Sequence, residues 1–146
     1  LEIQSMEDLA KYSVVSFQNA TTNLGGEYAD AVKQSPMYLE LPEQRRQVEL
    51  LLLGNVQVAV MDINIFNYLS KEISGSNQLI NTEVHKLFAP TPYRVGFKDQ
   101  NLKDRFNLAL SRYLGSEAYP ALLKKYDFYY SHRLPRPLPV TSIKRR

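Results

Sequence analysis

The chain contains no cysteine. Disulfides, thiolate metal sites and cysteine nucleophiles are therefore excluded, and the lack fits an oxidising compartment, where stray thiols are hazardous. No run of 18 apolar residues occurs, so no segment reads as a membrane-spanning helix, and no signal peptide is visible. Acidic residues are missing after Asp127, whereas Arg133, Arg136, Lys144, Arg145 and Arg146 are all basic. Without those five, 13 basic residues face 15 acidic ones, and the net charge of +3 becomes −2. The basicity belongs to the tail, and the body carries no electrostatic footprint for nucleic acid. There is no Gly-rich phosphate loop, no His-Glu-x-x-His and no nucleophile elbow. Ser16 and Ser111 have no evident base. His85 and His132 are distant in sequence and lack local carboxylate partners, so neither a metal nor a cofactor is expected.

What is present is enough apolar residue to fold. Hydrophobic residues make up 44% of 146 and charged residues 23%, a composition that supports one packed domain or slightly more. Ser5 with Asp8 three positions on reads as a helix start, running to about Lys11. Ser13 to Gln18 reads as a buried strand, and Asn19-Ala20-Thr21-Thr22 as a capped entry to a helix from Thr22 to Gln34. Met37 to Leu41 is the next strand. Pro42 at a first helical position opens a helix from Glu43 to Leu53, which Gly54 closes. Val56 to Met61 is a third strand, ending on Asp62, and Ile63 to Lys71 a helix. Glu72 to Asn81 reads as a surface loop. The alternation of helix and strand predicts an α/β fold: a mostly parallel open sheet, right-handed crossovers and helices on both faces.

The pattern then changes. Glu83 to Phe88 is extended and amphipathic, Pro90 and Pro92 flank a turn, and Tyr93 to Lys98 alternates as a strand. Asp99 caps a helix to Leu114 whose apolar stripe is Leu102, Phe106, Ala109, Leu110 and Tyr113. After Gly115 a further helix runs from Glu117 to Tyr126. Tyr126 to Tyr130 reads as a hydrophobic anchor, and Ser131 onward as an extended tail rich in proline and basic residues.

Two places carry candidate chemistry. Asp62, following an apolar strand, is either the N-cap of the next helix or an exposed carboxylate at the rim where open α/β sheets bind ligands. Asn19 to Thr22 is either a capped helix start or a set of N–H and hydroxyl donors for an anion. If both serve a ligand, the two strand ends form an anion site and a cation site, which together suit a zwitterion such as an α-amino acid.

Several segments also match a known pattern. Ser5-Met6-Glu7-Asp8-Leu9 looks like an "S-x-x-D-L" entry, and Val15 to Thr22 like "V-x-x-Q-x-G-T-T", with Ala20 where Gly usually stands. Leu52 to Asp62 looks like "L-x-x-G-x-V-D-A-V-x-x-D", with Gln57 for the first Asp. Tyr93 to Asp99, Leu102 to Leu114 and Tyr119 to Tyr126 look like a return segment. In this order the chain, from Leu1 to about Asp127, resembles the bacterial extracellular solute-binding proteins of the polar-amino-acid type (family 3), the periplasmic receptors of ABC importers. That resemblance implies a lobe of the type 2 periplasmic-binding-protein kind and non-catalytic capture of a small polar solute in the periplasm. It implies that Thr21 helps hold a ligand carboxylate and that Asp62 holds its amino group, with Asn19, Thr22 and Gln44 as nearby polar candidates. It implies residues 1–88 as the second lobe, 89–130 as the return segment and 131–146 as the tail, the first lobe being missing. Either that lobe, a self-association, or packing of the helices back onto the lobe itself would then cover Leu102, Phe106, Leu110 and Tyr113, and an ABC permease would be a further partner. Two other readings stay open: a sensory or interaction module of the same fold that has lost solute binding, and a small α/β enzyme using Asp62 as base or nucleophile.

Overall fold

Three short parallel strands carry the fold: β1 (Val14–Phe17), β2 (Tyr38–Leu41) and β3 (Val58–Val60), in the order β2-β1-β3. The computed structural model describes residues 1–75, 82–90, 93–126 and 128. The anchor residues Tyr129 and Tyr130, the proline-rich tail, His132, Pro92 and residues 76–81 of the expected loop lie outside them, and the first residues of that expected loop, Glu72 to Ser74, instead continue the preceding helix. The chain divides into two compact units, residues 1–102 and 103–146. The expected α/β architecture with a small open parallel sheet is present in the first.

Helices connect the strands. α1 (Ala20–Asn23) and α2 (Gly26–Lys33) follow β1, α3 (Gln44–Leu52) follows β2, and α4 (Ile63–Ser74) follows β3. The chain steps one way from β1 to β2 and back past β1 to β3, so right-handed crossovers set α2 and α3 on opposite faces. Alternation along β1 agrees with this. Val14 joins a cluster with Ile3, Leu9, Ala20, Tyr28, Ala31, Val32 and Val60, to which Leu87 and Phe88 add. Val15, pointing the other way, is also fully buried, and α3 packs on β1. On that side α3 and α4 lie together, burying Val48 and Phe66. At their surface Arg45 meets both Glu49 and Glu72 at 3.4 Å, exposed pairs that contribute little. Gln57 fastens the start of β3 to β1: its side-chain oxygen accepts from the Ser13 N–H at 3.0 Å, and its own N–H donates to Ser13 Oγ at 2.9 Å.

The structure corrects three further local expectations. The segment 5–11 is a 3₁₀ turn over Glu7–Lys11, and Asp8 reaches back to accept from the Gln4 and Ser5 N–H groups. Pro42 precedes the Glu43 cap of α3 instead of standing in its first turn, while Gly54, at φ 72°, follows the helix end as expected. The helix expected over Thr22 to Gln34 is two helices broken at Gly25, whose φ of 95° and ψ of 174° belong to a region open to glycine alone. Nothing lies within 4 Å of where a Cβ would stand there, so the cost of a side chain is backbone strain only. Gly25→Ala is expected to lower stability by about 1–3 kcal/mol in urea unfolding. A loss under 0.3 kcal/mol would contradict this conformation.

Residues 93–98, expected as a strand, form none, and 83–88 likewise pairs with no strand of the sheet. Leu87 and Phe88 spend their apolar side chains on the α2 core instead, Phe88 meeting Tyr28 edge-on at 5.7 Å. Tyr93 and Val95 are 89% and 61% exposed, and an alternating segment forms a strand only where a neighbour supplies the ladder. The last two helices are α5 (Gln100–Leu114), which crosses the boundary between the units, and α6 (Ala118–Lys125). Neither buries a residue, and Leu102, Phe106, Leu110 and Tyr113 are exposed. In the second unit Tyr113 and Tyr119 pack edge to face at 5.9 Å. No helix among the described residues is long and apolar enough to cross a membrane.

Candidate functional site at the rim of the sheet

The C-terminal ends of the three strands open on one rim. After β1 the chain turns at Asn19, whose φ of 62° is left-handed, a conformation that asparagine tolerates better than most side chains. The turn aims two backbone N–H groups at Glu40, which stands on β2 opposite Ser16 of β1. Asn19 N–H donates to Glu40 Oε2 at 2.8 Å. Thr21 N–H and Thr21 Oγ1 both donate to Glu40 Oε1 at 2.9 Å. The Tyr38 hydroxyl donates to the same oxygen at 2.9 Å. The donors of Asn19 and Thr21 in the turn are thus taken by a carboxylate of the chain itself.

Behind Glu40 the hydrogen bonds continue into the core. The Tyr28 hydroxyl donates to that of Tyr38 at 3.4 Å and bonds Ser16 Oγ, with both Ser16 and Tyr28 fully buried. One orientation satisfies every member: Ser16 donates to Tyr28, Tyr28 to Tyr38, and Tyr38 to Glu40. The Thr21 backbone N–H, foremost, and then the Tyr38 and Thr21 hydroxyls hold the Glu40 carboxyl below its ordinary range. Burial pushes the Tyr28 and Tyr38 hydroxyls up, so both remain protonated donors. Ser16, without a base in the sequence, therefore has a structural partner.

Asp62 caps α4. Its Oδ1 accepts from the N–H groups of Asn64 at 2.7 Å and Ile65 at 3.2 Å, and the residue is exposed. Capping uses one oxygen, so it does not prevent the other from meeting a ligand. The exposed Thr22 donates its N–H to the Asn19 carbonyl at 3.2 Å. Gln44, half-buried, opens α3 beyond the end of β2. The strand order sets the turn after β1 and Asp62 after β3 at the ends of neighbouring strands, and sets Glu40 and Gln44 on the far side of β1.

Glu40, Tyr38 and Tyr28 did not stand out in the sequence as site residues. The one signal was the i, i+2 spacing of Tyr38 and Glu40, which sets both on one face of their strand. No group of three His, Cys, Asp or Glu among the described residues could hold a metal. The chain matches no protein-family model, no curated protein and no solved structure.

Proposed function

We propose that residues 1–88 are a lobe of the type 2 periplasmic-binding-protein kind, followed by a return segment over 89–130, and that the chain binds a small polar solute, an amino acid or a related amine, without chemistry. Asp62 takes the solute's ammonium group, with Thr21, Thr22, Asn19 and Gln44 as polar surroundings. The chain works in the periplasm with an ABC permease, and a first lobe or a second copy covers Leu102, Phe106, Leu110 and Tyr113. The observation that supports this most is the strand order β2-β1-β3. The helices that follow β1 and β3 leave the rim between them on opposite faces, with α4 beside α3, and such a rim is where open α/β sheets bind ligands.

A thermal-shift and calorimetric screen of the full chain against amino acids and amines tests the proposal. The expected result is saturable stabilisation by at least one compound, lost in Asp62→Ala after allowance for the missing cap, about 1 kcal/mol. Undiminished binding by Asp62→Ala would remove Asp62 from the site, and silence across the screen would defeat the reading. A second reading, an interaction module of the same fold without solute binding, draws on the Glu40 carboxylate already lying among the donors of the turn. Capture of a defined protein partner by a chain that is silent in the screen would favour it.

A further inference from the structure

We propose that Glu40 is a built-in occupant of the turn after β1, so that the rim accepts an amine and turns away a solute whose carboxylate needs that turn. This rests on the solute-binding reading and narrows its ligand class. Asn19 N–H, Thr21 N–H, Thr21 Oγ1 and the Tyr38 hydroxyl each carry one proton, and all four are directed at Glu40. An arriving carboxylate has two routes. It can displace Glu40, which gives up four charge-assisted hydrogen bonds and returns to no comparable partner set. Or it can sit beside Glu40, two like charges meeting at short range. An ammonium group meets the opposite situation. Glu40 Oε2 receives one hydrogen bond against three on Oε1, so its side of the carboxylate keeps acceptor capacity. The position is built rather than incidental. Tyr38, two residues before Glu40 on the same strand, is itself held by Tyr28 from the core, which fixes the donor and the acceptor together.

Matched pairs that differ by one carboxylate test the idea: lysine against cadaverine, and arginine against agmatine, in calorimetry with the full chain. The amines are expected to bind at least tenfold more tightly than their amino acids, and Glu40→Gln to shrink that preference at least tenfold. Equal binding of lysine and cadaverine by the native chain would overturn the role of Glu40 while leaving solute binding intact. Binding of none of the four would defeat the solute-binding reading and the selectivity with it. A titration with sodium acetate, followed at the backbone amide signals of Asn19 and Thr21, needs no solute. Those signals are expected to stay still in the native chain and to move saturably in Glu40→Ala and Glu40→Gln. Movement in the native chain, or stillness in both variants, overturns the proposal.

Discussion

Tyr28→Ala is expected to lower the stability of the chain by about 3–5 kcal/mol, enough to unfold most of a marginal domain. Tyr28 is fully buried and takes part in both the packing and the hydrogen bonding of the core. Its ring packs edge-on against Phe88 at 5.7 Å and Tyr38 at 6.3 Å. It belongs to the cluster that joins α2 to β1 and β3. Its hydroxyl sits between Ser16 and Tyr38. Truncation opens a cavity and also leaves the buried Ser16 hydroxyl without its partner. Tyr28→Phe separates the two: it keeps the ring and is expected to cost only about 1–2 kcal/mol. Urea unfolding followed by circular dichroism measures both. If the two variants lose equal stability, the hydroxyl chain outweighs the packing. If Tyr28→Phe loses nothing, the chain of hydroxyls from Ser16 to Glu40 contributes no stability.

How much of this was legible depends on the range of the interaction. β1, β2 and α3 are legible locally, the strands as short apolar runs carrying β-branched or aromatic residues and α3 by apolar residues three and four apart. Asp62 illustrates the limit of local reading. Its capping role follows from a strand, an Asp and a helix in succession, whereas its neighbours across the rim follow from the strand order. Gly25 and Gly26 adjoin in the sequence, but only the backbone geometry at Gly25 makes the pair an interruption of the expected helix. Tyr93 to Lys98 has the alternation of a strand without a ladder partner among the described residues, since periodicity encodes which faces are apolar and not which neighbour is present. Glu40 was invisible for the opposite reason. Its partners lie 19 and 21 residues earlier, and they meet only when β2 pairs with β1 in the register that sets Glu40 against Ser16. A one-residue slip would turn its side chain to the other face and empty the turn.

That dependence makes Glu40 a titratable lock on the register, and its effect on stability has a defined sign. Its folded carboxyl titrates below the ordinary value of 4.5, chiefly because the Thr21 N–H favours the charged form. A carboxyl depressed in the folded state contributes stability that is fully present above the unfolded value and is lost as pH falls through the folded one. Glu40→Gln removes the charge and sets amide hydrogens against at least one of the donors at Asn19 and Thr21. At pH 7 the variant is expected to be about 1–2 kcal/mol less stable than the native chain. As pH falls below about 4.5 Glu40 of the unfolded chain takes up protons before that of the folded chain, so the native advantage shrinks and the gap between the two should narrow towards pH 3. Taking the difference between the two chains at each pH cancels the other carboxylates, including Glu7 and Asp8, which are also held low. Urea midpoints of both chains at pH 7, 5, 4 and 3 measure it. A gap that stays constant over that range would mean that the hydrogen bonds to Glu40 do not depend on its charge. A gap that widens on acidification would reverse the sign and place the Glu40 carboxyl outside the turn in solution.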